Sequence, residues 1–170
     1  MLKVKPSFKI PNKGIYFMSL GGIGEIGANC YLYCCDGKWL MIDLGLTFAD
    51  EQFPGIDLLL PKIDFVKEIT DHLEAIIISH GHEDHSGAVA FFAEKINCPV
   101  YATGFARSLI ENRLKEFGSL DKVILKTIDP LNDIKLENFN LSFINTTHSI
   151  PEPYAITIDT KYGKLLHTAD

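Results

Sequence analysis

Arginine is nearly absent from this 170-residue chain: Arg107 and Arg113 are the only two among 16 basic residues. The guanidinium fork grips phosphate in a bidentate way that lysine does not match, so the chain has few such clamps. Positive charge is short overall, with 22 acidic residues against those 16 and a formal net charge of −6. That balance argues against holding nucleic acid by bulk electrostatics, because such domains show a basic patch or a high pI. A nucleic-acid role would need a local basic groove, or basic surface supplied from outside the chain. Cysteine is also scarce. Cys30, Cys34, Cys35 and Cys98 form no C-x-x-C pair, which disfavours a zinc knuckle or a disulfide framework. They read instead as free thiols packed as small apolar side chains. No run approaches the roughly 20 apolar residues of a membrane span. The opening "MLKVKPSFKIPNKG" has neither the apolar stretch of a secretory signal nor the arginines of a transit peptide. The expectation is a cytoplasmic protein with no membrane partner.

What is present fits one packed domain, with 46% hydrophobic residues. The first third reads as β, with short apolar and aromatic runs at 14–20, 29–35 and 38–43. Asp36-Gly37 between the last two is a hairpin signal. The run "LEAIIIS" (73–79) is continuously apolar, as expected of a strand buried on both faces. Helices are expected at 86–96 and 104–118, the second with Gly118 as its C-cap. Strands are expected at 99–102, 122–128, 139–147, 154–160 and 164–169. Strands, then two helices, then strands again suggest a layered α/β (α+β) fold with a mixed sheet.

The densest chemical signal is "SHGHEDHSG", residues 79–87. His80, His82, Asp84 and His85 follow a buried strand and precede a helix, the end of the strand where α/β folds place their sites. One histidine packed in a core is ordinary, but three imidazoles and a carboxylate in six residues are poorly explained as a solvated turn. Imidazole and carboxylate together suit a cation such as zinc. The set exceeds what one catalytic zinc uses while keeping a water, and two metals about 3.5–4 Å apart use it better. Gly22-Ile23-Gly24-Glu25-Ile26-Gly27 is a literal G-x-G-x-x-G. The dinucleotide motif must open a helix, whereas "ANCYLYCC" follows here with the flavour of a strand, so no nucleotide cofactor is expected. Glycines turning tightly beside the metal site are the better account.

H-x-H-x-D-H after an apolar strand resembles the signature of the metallo-β-lactamase superfamily. With "LGGIGEIGANCYLY", "PGIDLLLP", "CPVYAT" and "TTHSIPEPYAITIDT", residues 15 to 170 look like the N-terminal part of a ribonuclease J, of the β-CASP group. The resemblance implies the N-terminal half of an αββα sandwich. Residues 1–170 would then be a single partial domain without the second half, the β-CASP insertion or the C-terminal domain. It implies His80, His82 and His148 as ligands of one zinc, Asp84 and His85 as ligands of a second, and Asp170 bridging both. Asp43 would act from behind a ligand, Asp84 would help a metal-bound hydroxide, and Ser149 is a candidate phosphate contact. His72 and His167 match no ligand position.

The activity so implied is zinc-dependent hydrolysis of RNA phosphodiester bonds, endonucleolytic and 5′-to-3′ exonucleolytic, in RNA decay and rRNA maturation, with RNA as partner. This chain alone would be weak or inactive and would hold one zinc better than two. Two other readings stay open. One is a small-molecule thioester or lactone hydrolase of the same superfamily. The other is a non-catalytic truncated product that self-associates or meets a partner through an uncovered sheet face.

Overall fold

The computed structural model describes residues 11–170; most of the opening stretch read against a signal or transit peptide lies outside them. Three antiparallel strands come first: β1 (Ile15–Gly21), β2 (Cys30–Cys35) and β3 (Lys38–Ile42). Asp36 and Gly37 join β2 to β3 with φ of +47° and +84°. Two successive left-handed residues are what a two-residue hairpin turn with the right twist requires. A small ribbon, β4 (Thr47–Phe48) with β5 (Leu58–Leu59), and a short helix α1 (Val66–Ile69) lead into β6 (Leu73–Ile78). β6 pairs in parallel with β3 and then with β7 (Val100–Ala102). Between β6 and β7 lies the short helix α2 (Glu83–Ser86). The helix α3 (Gly104–Glu116) follows β7, and β8 (Leu125–Thr127) completes a six-stranded mixed sheet ordered β1-β2-β3-β6-β7-β8. β9 (Ile134–Lys135), β10 (Asn140–Asn145), β11 (Tyr154–Thr160) and β12 (Gly163–His167) form a separate antiparallel sheet.

Strand alternation divides the large sheet into two working faces. Trp39 and Met41 of β3, with Ile76 and Ile78 of β6, pack among Ala106, Ile110 and Leu114 of α3. Leu40, Ile42, Ala75 and Ile77 turn the other way, onto Leu141, Ile156 and Ile158 of the second sheet. The layers are therefore helix, sheet, sheet, the mixed α/β arrangement expected from the sequence. The outer face of the small sheet carries no helix among the described residues. It mixes Ser142, Thr157 and Lys164 with the exposed Ile144 and Leu166, so it is less apolar than an uncovered core face would be. No helix among the described residues is long and apolar enough to cross a membrane.

Two expected elements differ. The helix expected over 86–96 begins earlier, as α2, and continues as a 3-10 turn over Ala90–Lys95. Ala88, Val89, Ala90, Phe92 and Ala93 are all buried. Only Glu94 and Lys95 at its end are exposed, and the segment winds tightly, with the Phe92 amide shared between the Ala88 and Val89 carbonyls. The strand expected over 122–128 shortens to β8, because residues Leu120–Lys122 wind into another 3-10 turn.

Candidate metal centre

Every candidate ligand lies at one rim of the two sheets. β6 ends into Ser79 and His80, both buried. Gly81 follows, and a Cβ there would press on Phe105, Ala106 and Leu109, so glycine lets this loop lie against α3. His82 is the N-cap of α2, which carries Asp84 and His85. Residues 44–46 clasp that short helix from the other side. The Leu44 amide donates to the His85 carbonyl and the Leu46 amide to the Glu83 carbonyl. A Cβ on Gly45 would run into the Asp84 carbonyl. His148 comes from the loop between β10 and β11, and Asp170 follows β12.

These side chains form two groups able to hold a cation: His80 with His82 and His148, and His80 with His85 and Asp170. In the first, His82 Nδ1 lies 3.1 Å from His80 Nε2 and 3.0 Å from His148 Nε2. Zinc–nitrogen bonds of about 2.0–2.1 Å give a tetrahedral edge of about 3.3 Å, so the imidazole nitrogens already stand at roughly the right spacing. The donor set fits a divalent cation. Asp170 Oδ2 is 3.3 Å from His85 Nε2 and 3.7 Å from His148 Nε2, between the two groups. Asp84, expected beside His85 in the second set, falls in neither group. Its Oδ2 is 3.6 Å from His85 Nε2 and accepts a hydrogen bond from Asn29 at 3.2 Å. Ser149 is exposed beside His148, and His72 is exposed in a 3-10 turn at the far end of β6 from the site.

Behind the candidate ligands stands Asp43, fully buried at the end of β3 with φ +62°. One carboxylate oxygen accepts the Ser79 amide at 2.8 Å. The other accepts the Ser79 hydroxyl at 2.9 Å and faces His85 Nδ1 at 2.7 Å. Burial disfavours a charge on each member of this pair, but their mutual attraction prevails. Asp43 is held below the usual carboxylate range, and His85 is pushed up to about 9, with Asp84 and Asp170 adding to the pull. Burial, then the positive His85 beside it, pushes His80 down to about 4. Without a cation the centre therefore stores a proton on His85, which ligation through Nε2 would displace.

Two further residues, outside the candidate ligand set, border the centre. His167 is buried, its Nδ1 3.0 Å from the Tyr33 hydroxyl, and with Phe17, Tyr31, His85 and Asp170 it lines a cleft of about 210 Å³. Its place on the inner side of β12, next to the apolar Leu165 position, was the available signal. Asn29 is also buried and touches Asp84 and His85; a lone asparagine before a strand carries no such signal.

A family profile described as the metallo-beta-lactamase superfamily matches residues 23–170. The chain belongs to that superfamily. Among curated proteins it is 38% identical to Ribonuclease J 2 of Staphylococcus aureus and 36% identical to Ribonuclease J 2 of Staphylococcus epidermidis, each over 95% of this chain. It spans 29% of the length of those relatives. Among solved structures, the metallo-beta-lactamase fold protein YhfI from Bacillus subtilis superposes with a TM-score of 0.62 at 19% identity. That match covers 93% of this chain and 63% of the other. A protein of unknown function from Enterococcus faecalis gives a TM-score of 0.68 at 16% identity, over 91% of this chain and 43% of that one. Both share the fold.

Proposed function

We propose that the chain carries the zinc centre of a ribonuclease J-like enzyme that hydrolyses RNA phosphodiester bonds. The observation that carries this reading is the convergence of His80, His82 and His148 at 3.0–3.1 Å, in a chain 38% identical to Ribonuclease J 2. Zinc bound there would supply hydroxide at neutral pH, the pKa of coordinated water falling toward about 7, and would offset the charge of a phosphate. The residues of the chain do the rest. Asp43 fixes the His85 ring from behind through Nδ1, leaving Nε2 for ligation. Asp84, with its side chain about a third exposed beside the centre, is placed to accept the proton of an attacking water. Asp43, Asp84 and Asp170 together make a cation-free site repel a phosphodiester, so substrate approach depends on the metal's charge.

His80 belongs to both groups but has only one nitrogen facing them, since Nδ1 lies 3.0 Å from the Ser79 hydroxyl. One equivalent of zinc is therefore held tightly and a second more weakly. The test is zinc titration of the chain combined with cleavage of 5′-monophosphorylated RNA. Expected are one tight equivalent and slow, zinc-dependent cleavage that His82→Ala removes. Failure to bind zinc, or hydrolysis of a thioester or lactone with no phosphodiester cleavage, overturns the reading.

A further inference from the structure

The carboxamide of Asn29 has no part in that reading, yet it reaches the second group of ligands. Its Nδ2 donates to Asp84 Oδ2 at 3.2 Å and lies 3.0 Å from His85 Nε2. Its Oδ1 accepts the Tyr31 hydroxyl at 2.8 Å, and the same hydroxyl lies 3.3 Å from the Gly22 carbonyl. A carboxylate only accepts, so these partners fix which end of the amide faces the centre. The backbone is tied as firmly: the Asn29 amide donates to the Asp84 carbonyl and the Gly45 amide to the Asn29 carbonyl, both at 2.9 Å. Gly22, at φ +81°, stands where any Cβ would collide with Asn29 Oδ1 and Tyr31 Oη. The glycine loop thus leaves room for the amide and its tyrosine.

We propose that Asn29 is the positioning residue of the second cation position: through Nδ2 it holds the Asp84 carboxylate beside His85, so that the two act on one ion. The inference rests on the reading that a divalent cation occupies this centre. Asp84 is the least enclosed of the acids around His85 apart from Asp170, and its side chain is about a third exposed. Among the described residues, Asn29 is the hydrogen-bond donor that holds that carboxylate. His82 and His148 meet each other and His80 instead, so the first group is independent of Asn29.

The test is a cobalt titration of the parent chain, Asn29→Ala and Tyr31→Phe, followed by visible absorption and by metal content after desalting. In Asn29→Ala the first equivalent binds as in the parent, while the second weakens by about 10–100-fold, the usual effect of losing a group that orients a ligand. Tyr31→Phe keeps the amide but frees it to rotate, so it shows a smaller loss in the same direction. It also carries the test if Asn29→Ala does not fold. Unchanged second-equivalent binding in a folded Asn29→Ala, or in Tyr31→Phe if that variant alone folds, overturns the inference, as does a parent chain that takes only one cation. A parent chain that takes no cation overturns the proposed function itself.

Discussion

Asp43 occupies left-handed backbone, φ +62°, a conformation that is uncommon outside glycine and best tolerated by Asp and Asn. Its amide still pairs with the Ile77 carbonyl, and its side chain turns under the Ser79-His80 step. The residue thus ends β3 and supports His85 in one move. Asp43→Asn keeps the shape but loses the charge facing His85 Nδ1. Zinc affinity, measured by competition with a chromogenic chelator, is expected to fall by about 10–100-fold. Gly45 gives a second prediction at this scale. Its Cβ would meet the Asp84 backbone rather than a side chain that could swing away. Gly45→Ala should cost about 1–3 kcal/mol in denaturant unfolding, as overpacking does, and should weaken metal binding together with stability.

Among the elements, the β2–β3 and β11–β12 turns are joined by one acid. The Asp36 carboxylate pairs with Lys161, accepts the Tyr162 hydroxyl at 2.7 Å and accepts the Gly14 amide at 2.8 Å. Lys161 first, then Tyr162, hold its pKa down to about 2, against 3.8 unperturbed. A carboxylate whose folded pKa is depressed contributes stability that is complete above the unfolded value and is lost as pH falls through the folded one. The parent chain should therefore lose stability between about pH 4 and pH 2. Asp36→Asn, which suits the same left-handed turn, should be less stable at neutral pH and flatter across that window. Urea unfolding at a series of pH values checks both. The elements also show what could be read in advance. The apolar, aromatic run of β3 and the hairpin signal at Asp36-Gly37 follow from local chemistry and were legible. The winding of residues 86–96 was not, because its run 87–93 is apolar throughout and has no periodicity to distinguish one helical winding from another.

For the whole molecule, the candidate ligands come from both sheets. His80, His82 and His85 follow β6 of the large sheet, while His148 and Asp170 follow strands of the small one. A cation bound to the native arrangement alone stabilises by mass action, about 2.7 kcal/mol at a hundredfold excess over Kd. Zinc should accordingly raise the melting temperature of the parent chain, a chelator should reverse the gain, and His148→Ala should lose most of it. The nine residues 79–87 declared the part of the centre that one strand end delivers. His148 and Asp170 became recognisable only through resemblance. Asn29 lies 55 residues from Asp84 in the chain, and nothing local marks a contact made by folding.

The loop that carries His148 has a second anchor. Glu152, at φ +56°, accepts the Phe105 amide at 2.8 Å, so its carboxylate caps α3 on the opposite side of the large sheet from the small one. The Tyr154 amide meets the Ser79 carbonyl at 3.3 Å a few residues later. A helix that contributes no candidate ligand is thus tied by its first turn to the loop that carries one. The loop that brings His148 to His82 is therefore anchored both to the helix layer and to the end of β6.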